Sequence, residues 1–114
     1  MNSLSDFYKG TTKIFSITLK INNIIQDIRN DSVIFRMKND IKELDIDSPV
    51  TKIADVTTNG EIGVATFELT PQDTKSLNSR FYHCDIEWVT STNKEFIVFS
   101  DKIRILERVS DSPL

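Results

Sequence analysis

The chain has 114 residues, 39% hydrophobic and 27% charged, which suits one domain with a single modest core. Its 14 Lys and Arg are interspersed with 17 Asp and Glu for a net charge of −3, so there is no basic cluster of the kind nucleic acid needs. The single Cys excludes an intramolecular disulfide and a multi-thiolate zinc site, and no apolar run approaches the ~18 residues of a membrane span.

Residues 1–8 read as a polar N-terminal arm ending in two aromatics, Phe7 and Tyr8. The arm has neither the basic nor the apolar stretch of a signal peptide, so synthesis in a cytosol is expected. Phe7 and Tyr8 have two readings: they cover the domain's own sheet edge, or they dock on a neighbouring subunit. After Gly10, KIFSITLK (13–20) sets Phe15, Ile17 and Leu19 against Ser16, Thr18 and Lys20, the alternation of a half-buried strand. Asn22-Asn23 is a turn, because Asn tolerates positive φ. Ile24 to Ile28 is a short connection and Arg29-Asn30-Asp31 a second turn. Ser32 to Lys38 is a strand with Val33, Phe35 and Met37 inward and Ile34, Arg36 and Lys38 outward.

Asn39 to Ser48 is acidic, and its Ile41, Leu44 and Ile46 fit either a loop or one helical turn. Val50 to Val56 can form a strand anchored by Ile53 and Val56, with Pro49 favouring a loop or sheet edge before it. Asn59-Gly60 is a hairpin turn signal. Glu61 to Leu69 is a strand whose apolar parity switches near Gly63, which suggests a bulge. Thr70-Pro71-Gln72-Asp73 has the cap, the first-position Pro and the acid of a short helix start. The helical turn runs to Leu77, which would plug one end of the fold.

The stretch from Leu77 to Val89 organises the chain. Tyr82, Cys84, Ile86 and Trp88 share one parity, and His83, Asp85 and Glu87 the other. One face is therefore apolar and the other charged. Tyr82-x-Cys84 also matches the tyrosine corner of immunoglobulin-like domains, whose hydroxyl ties back to the preceding turn, here Leu77 to Arg80. Thr90 to Lys94 is a polar hairpin loop. EFIVF (95–99) is apolar on both parities and is expected to be covered on both faces. Ser100-Asp101 should break it before Lys102 to Leu106. Residues 107–114 are a polar tail.

The expected fold is all-β, an antiparallel immunoglobulin-like β-sandwich of about seven strands over residues 9–106 with one helical turn near 70–77. Its core is expected to hold Phe15, Ile17, Val33, Phe35, Tyr82, Cys84, Ile86 and Trp88. Cys84 reads as a small buried hydrophobe. His83 is the only histidine. Neighbours two apart on one strand lie ~7 Å from each other, too far for His83 and Asp85 to make triad contact. Asp40, Glu43, Asp45 and Asp47 could hold Ca²⁺ but lack the spacing of a calcium loop, and a solvated loop is the simpler reading. No enzyme, metal, cofactor or small-molecule substrate is expected.

The order of the punctuation adds a resemblance. Lys9-Gly10-Thr11-Thr12 precedes the first strand and Asp27-Ile28-Arg29-Asn30 the second. Asn59-Gly60-Glu61-Ile62 leads to Leu69-Thr70, Asp73-Thr74, Leu77 and then Phe81-Tyr82-His83-Cys84-Asp85-Ile86. This set resembles the immunoglobulin-like domain at the N-terminus of phage baseplate upper proteins, over residues 9 to about 105. That family's pattern has a Gly-Asp-Thr opening, an Asp-Leu-Thr-Gly step, a Thr-Asn-Gly turn, a Leu-Thr-x-x-Asp-Thr segment and Pro-Gly-x-Tyr-x-Tyr-Asp-Ile. Thr11 replaces its Asp, Ser79-Arg80 its Pro-Gly, and Cys84 an aromatic. The resemblance implies a non-enzymatic virion structural protein, an adaptor or decoration on baseplate, tail or capsid. Its partners would be other virion proteins and further copies of itself, not nucleic acid or membrane. The alternative is a carbohydrate-binding sandwich for host attachment. The inward parity of Tyr82 and Trp88 would leave it Phe7, Tyr8 and Phe81 as its platform.

Overall fold

A computed structural model describes residues 6–107. The period-two patterning becomes nine strands among them: β1 (Phe7–Tyr8), β2 (Lys13–Thr18), β3 (Lys20–Ile21), β4 (Ile24–Ile25), β5 (Ser32–Lys38), β6 (Val50–Ile53), β7 (Val64–Leu69), β8 (Phe81–Val89) and β9 (Glu95–Leu106). One α-helical turn, α1 (Pro71–Thr74), makes the described chain all-β apart from this turn and two 3-10 turns. A five-stranded sheet runs in the order β1-β9-β8-β5-β6, and β2-β7 forms a second layer, with β3-β4 as a separate hairpin.

The layers meet through phenylalanines. Phe15 of β2 stacks on Phe67 of β7 at 5.1 Å between centroids. Phe35 of β5 presents an edge to both, at 5.3 and 6.1 Å. On β8, next to β5, Trp88 lies opposite Val33, Ile86 opposite Phe35 and Cys84 opposite Met37. These six, with Tyr82, Ile17, Ala65, Phe67 and Leu69, are all buried, whereas Phe15 is partly buried against them at the rim of the second layer.

Local chemistry closes the ends. Thr70 and Asp73 form a capping box at α1, and Lys52 Nζ lies 2.8 Å from the Asp73 carboxylate. The buried Thr74 hydroxyl accepts the Gly10 N–H at 2.8 Å. The Tyr82 hydroxyl donates to the Asn78 carbonyl at 3.0 Å, tying β8 to the turn before it. Replacing Tyr82 with Phe keeps the ring and removes this bond, so urea unfolding should show a loss of about 1–1.5 kcal/mol. An unchanged midpoint would mean the hydroxyl does not hold the turn.

Several expectations change. At its aromatic end the N-terminal arm lies along the domain's own sheet edge, one of the two readings of Phe7 and Tyr8. Phe7 is 7% exposed and lies opposite Ile105 in a parallel pairing of β1 with β9. Asp6 accepts from Arg104 at 3.0 Å, and the Lys9 N–H donates to the Leu106 carbonyl at 3.0 Å. Residues 1–5, and the tail beyond Glu107, lie outside the described residues. Ile24–Ile25 is a strand, because Asn22 and Asn23 both take positive φ (53° and 66°) and close a two-residue hairpin.

The Asn59-Gly60 turn is not a hairpin. The chain there crosses from β6 in one sheet to β7 in the other, and just past β6 the Asp55–Thr66 bridge links the two. Asn59 has φ −124°, residues Gly60–Ile62 form a 3-10 turn, and the positive φ falls on Gly63 (78°). A Cβ on Gly63 would come within 2.9 Å of the Gln26 carbonyl, so the parity switch marks a close backbone approach, not a bulge. The Asp55 carboxylate anchors this crossing. It accepts from the hydroxyls of Thr57 (3.1 Å) and Thr58 (2.7 Å) and from both backbone N–H groups (3.0 and 3.2 Å). Those bonds, the Thr58 hydroxyl first, lower its pKa to about 2. A depressed carboxylate pKa adds stability above the ordinary value near 4, and that stability is lost as pH falls toward 2. NMR titration of the Asp55 carboxyl should therefore give a midpoint near 2 that rises in Thr58→Val. A midpoint near 4 in the unaltered protein would contradict the bonding.

Ile53 does not anchor the core; it is 72% exposed, and Val50 and Ala54 on the opposite parity are buried instead. Ser100-Asp101 does not break β9, which pairs with β8 from Glu95 to Arg104. Its irregularity is at Val98, an extra residue between the pairs Glu87–Ile97 and Ile86–Phe99. Nor is EFIVF covered on both faces, since Ile97 is 61% exposed.

Candidate functional site

The outer face of the five-stranded sheet gathers the charged parity of β8 with its neighbours. Pairing builds three rows across it: Ile53-Ile34-Glu87-Ile97, then Thr51-Arg36-Asp85-Ser100, then Lys38-His83-Lys102. The first row has exposed isoleucines at both ends. The Arg36 guanidinium binds Glu87 at 3.0 Å. The acidic loop 39–48 folds back onto this face. Lys38 Nζ reaches Asp45 at 2.6 Å and the Glu43 carbonyl at 2.9 Å, and Arg36 lies 3.7 Å from Asp45. The Lys38 bond holds the Asp45 carboxyl below its ordinary pKa. Of the four loop acids weighed for Ca²⁺, Asp45 is thus committed to the sheet's own cations. Among the described residues no three His, Cys, Asp or Glu side chains are placed to share a metal.

Between the loop and β9 lies a cleft of about 410 Å³, lined by Arg36, Lys38, Ile41, His83, Cys84, Asp85, Ser100, Asp101 and Lys102. One Asp85 oxygen is buried there without a hydrogen-bond partner. Burial raises the Asp85 pKa against the pull of Lys38 and Arg36. The Cys84 thiol donates to the Asp101 carbonyl at 3.3 Å, and burial pushes its pKa up to about 12. A thiol held so firmly protonated is a poor nucleophile. His83 sits between two lysines, not in a relay.

Phe7 and Tyr8 are not brought together as an exposed pair. Phe7 faces the core with the Lys13 ammonium 5.7 Å from its ring centroid, whereas Tyr8 is 53% exposed. Phe81 is 55% exposed, with Arg104 over its ring at 5.6 Å. Sequence reasoning missed Ile53 and Ile97 as surface residues. The signal was present: Ile53 and Val56 have opposite parity and cannot both anchor one regular strand. An apolar run on both parities is also compatible with a sticky outer face.

No protein-family model matches the chain, and no curated protein matches it.

Proposed function

We propose that the chain is a non-enzymatic, immunoglobulin-like β-sandwich module of a tailed-phage virion. It serves as an adaptor or decoration on baseplate, tail or capsid and docks on other virion proteins through the outer face of its five-stranded sheet. The observation that carries the docking is the row Ile53-Ile34-Glu87-Ile97, with apolar side chains in water beside an ion-paired cleft. The immunoglobulin-like reading is supported by the Tyr82–Asn78 bond and by two sheets packed around phenylalanines. The virion setting rests on the ordered sequence resemblance. The glycan alternative has less support, because Tyr82, Trp88 and Phe7 are buried and the Arg104 guanidinium lies over the ring of the exposed Phe81.

The test is binding of the purified protein to particles or subunits that lack it. Ile53→Lys combined with Ile97→Lys alters two exposed side chains and should leave the melt unchanged while weakening binding by about tenfold or more. Equal binding by the folded double variant would remove the outer face from the reading.

A further inference from the structure

Among the described residues the second layer has two strands, and no strand pairs with the outer edge of β2 from Ile14 to Thr18. Its backbone direction can be worked out. The Leu19 N–H donates to the Gly63 carbonyl at 2.8 Å, and Thr66, opposite Ser16, exchanges bonds of 2.8 and 3.0 Å with Asp55 on the side away from β2. In an antiparallel pair the bonding direction alternates along each strand. The N–H and C=O groups of Phe15 and Ile17 therefore turn toward β7, and those of Ile14, Ser16 and Thr18 point out of the open edge.

Natural sheet edges are blunted by charge, Pro or a bulge. From Ile14 to Thr18 this edge has none: the five residues are uncharged and four favour strands. Ile14 is 62% exposed, and Phe15 is only partly covered. We infer that this edge pairs with the same edge of a second copy of the chain, antiparallel about a two-fold axis at Ser16, to give a continuous sheet β7-β2-β2-β7.

Self-complementarity favours a second copy over another partner. Centred on Ser16, the pairing sets Ile14 against Thr18 and Ser16 against Ser16, all with outward-facing backbone groups, so six bonds can form. Phe15 meets Ile17 of the other copy on the inner face, which completes the partial cover of its ring. Lys13 falls opposite Leu19 and Lys20 opposite Thr12, so no lysine meets a lysine. The contact is short, so a dimer in the micromolar range is expected in solution, strengthened where a particle holds copies close together. This goes beyond docking on other virion proteins. It can fail while particle binding holds, because it uses the opposite layer.

Sedimentation velocity of the full chain over a concentration series tests it. The mass should double with concentration. Ser16→Lys and Ser16→Glu, at an exposed position, should each stay monomeric with unchanged melts, because each sets like charges opposite across the axis. Mixed together, the two variants should associate. A wild-type chain that stays monomeric up to about 1 mM would overturn the inference. So would dimers in both variants, or a mixture that fails to associate. Amide exchange of the unaltered protein gives an independent reading: Ile14, Ser16 and Thr18 must become protected as concentration rises, and lasting exposure would overturn it too.

Discussion

Truncating Trp88 to Ala is expected to destabilise the protein by about 3–5 kcal/mol in urea unfolding. The ring is 3% exposed, lies opposite Val33 on one side, and packs on Phe96 at 5.2 Å between centroids on the other. Its removal leaves a cavity in the central strand, where β5 and β9 pin the backbone and limit collapse. There is also a polar part. The indole Nε1–H donates to Asp31 Oδ2 at 2.8 Å, and the other Asp31 oxygen accepts the Ser91 N–H at 3.0 Å. Trp88 and Ser91 thereby fasten the turn before β5 to the loop after β8. Trp88→Phe keeps most of the apolar ring and loses the indole bond, so about 1–2 kcal/mol is expected. A loss below about 1 kcal/mol for Trp88→Ala would mean that this side chain does not close the core.

Phe7→Ala should cost about 3 kcal/mol, while Tyr8→Ala should stay within about 0.5 kcal/mol. The two residues are adjacent and share a two-residue strand, so backbone and propensity effects are nearly the same. Their side chains take opposite faces, one 7% and the other 53% exposed. Two ladder positions alone hold a strand weakly, so the buried Phe7 ring adds to the flanking bonds of Asp6 with Arg104 and of Lys9 with Leu106 in holding β1. Deleting residues 1–8 should consequently lower the melting temperature of the isolated protein. If Phe7→Ala and Tyr8→Ala were equal and small, β1 would not be docked in solution.

The strands with clean alternation were legible because one buried face forces period two. KIFSITLK, Ser32–Lys38 and Phe81–Val89 show this, and the Tyr82 hydroxyl followed from its place at the start of β8. The Thr70–Asp73 capping box was legible because it depends on four consecutive residues alone. Connections between sheets were not legible. Asn59-Gly60 carries the chemistry of a tight hairpin, yet the tertiary path from β6 to β7 needs a crossing, and the left-handed residue became Gly63. Parallel pairing of β1 with β9 joins residues almost a whole chain apart, so no local pattern could signal it. The candidate surface was half legible. Its charged residues were assigned to one face of β8, but Ile53 and Ile97 were placed inside because apolar character was taken as burial. Loop 39–48 gave no sign of folding back, since that depends on Lys38 and Arg36 finding Asp45.

The most direct test of the account is whether the chain is a particle component. Virions purified from cells that produce the protein should contain it in a fixed, integral ratio to a major structural protein, measured by quantitative mass spectrometry. Immunogold labelling should place it at a repeated position on tail, baseplate or capsid. Its absence from washed particles, with the protein left free in the lysate, would contradict the proposed function.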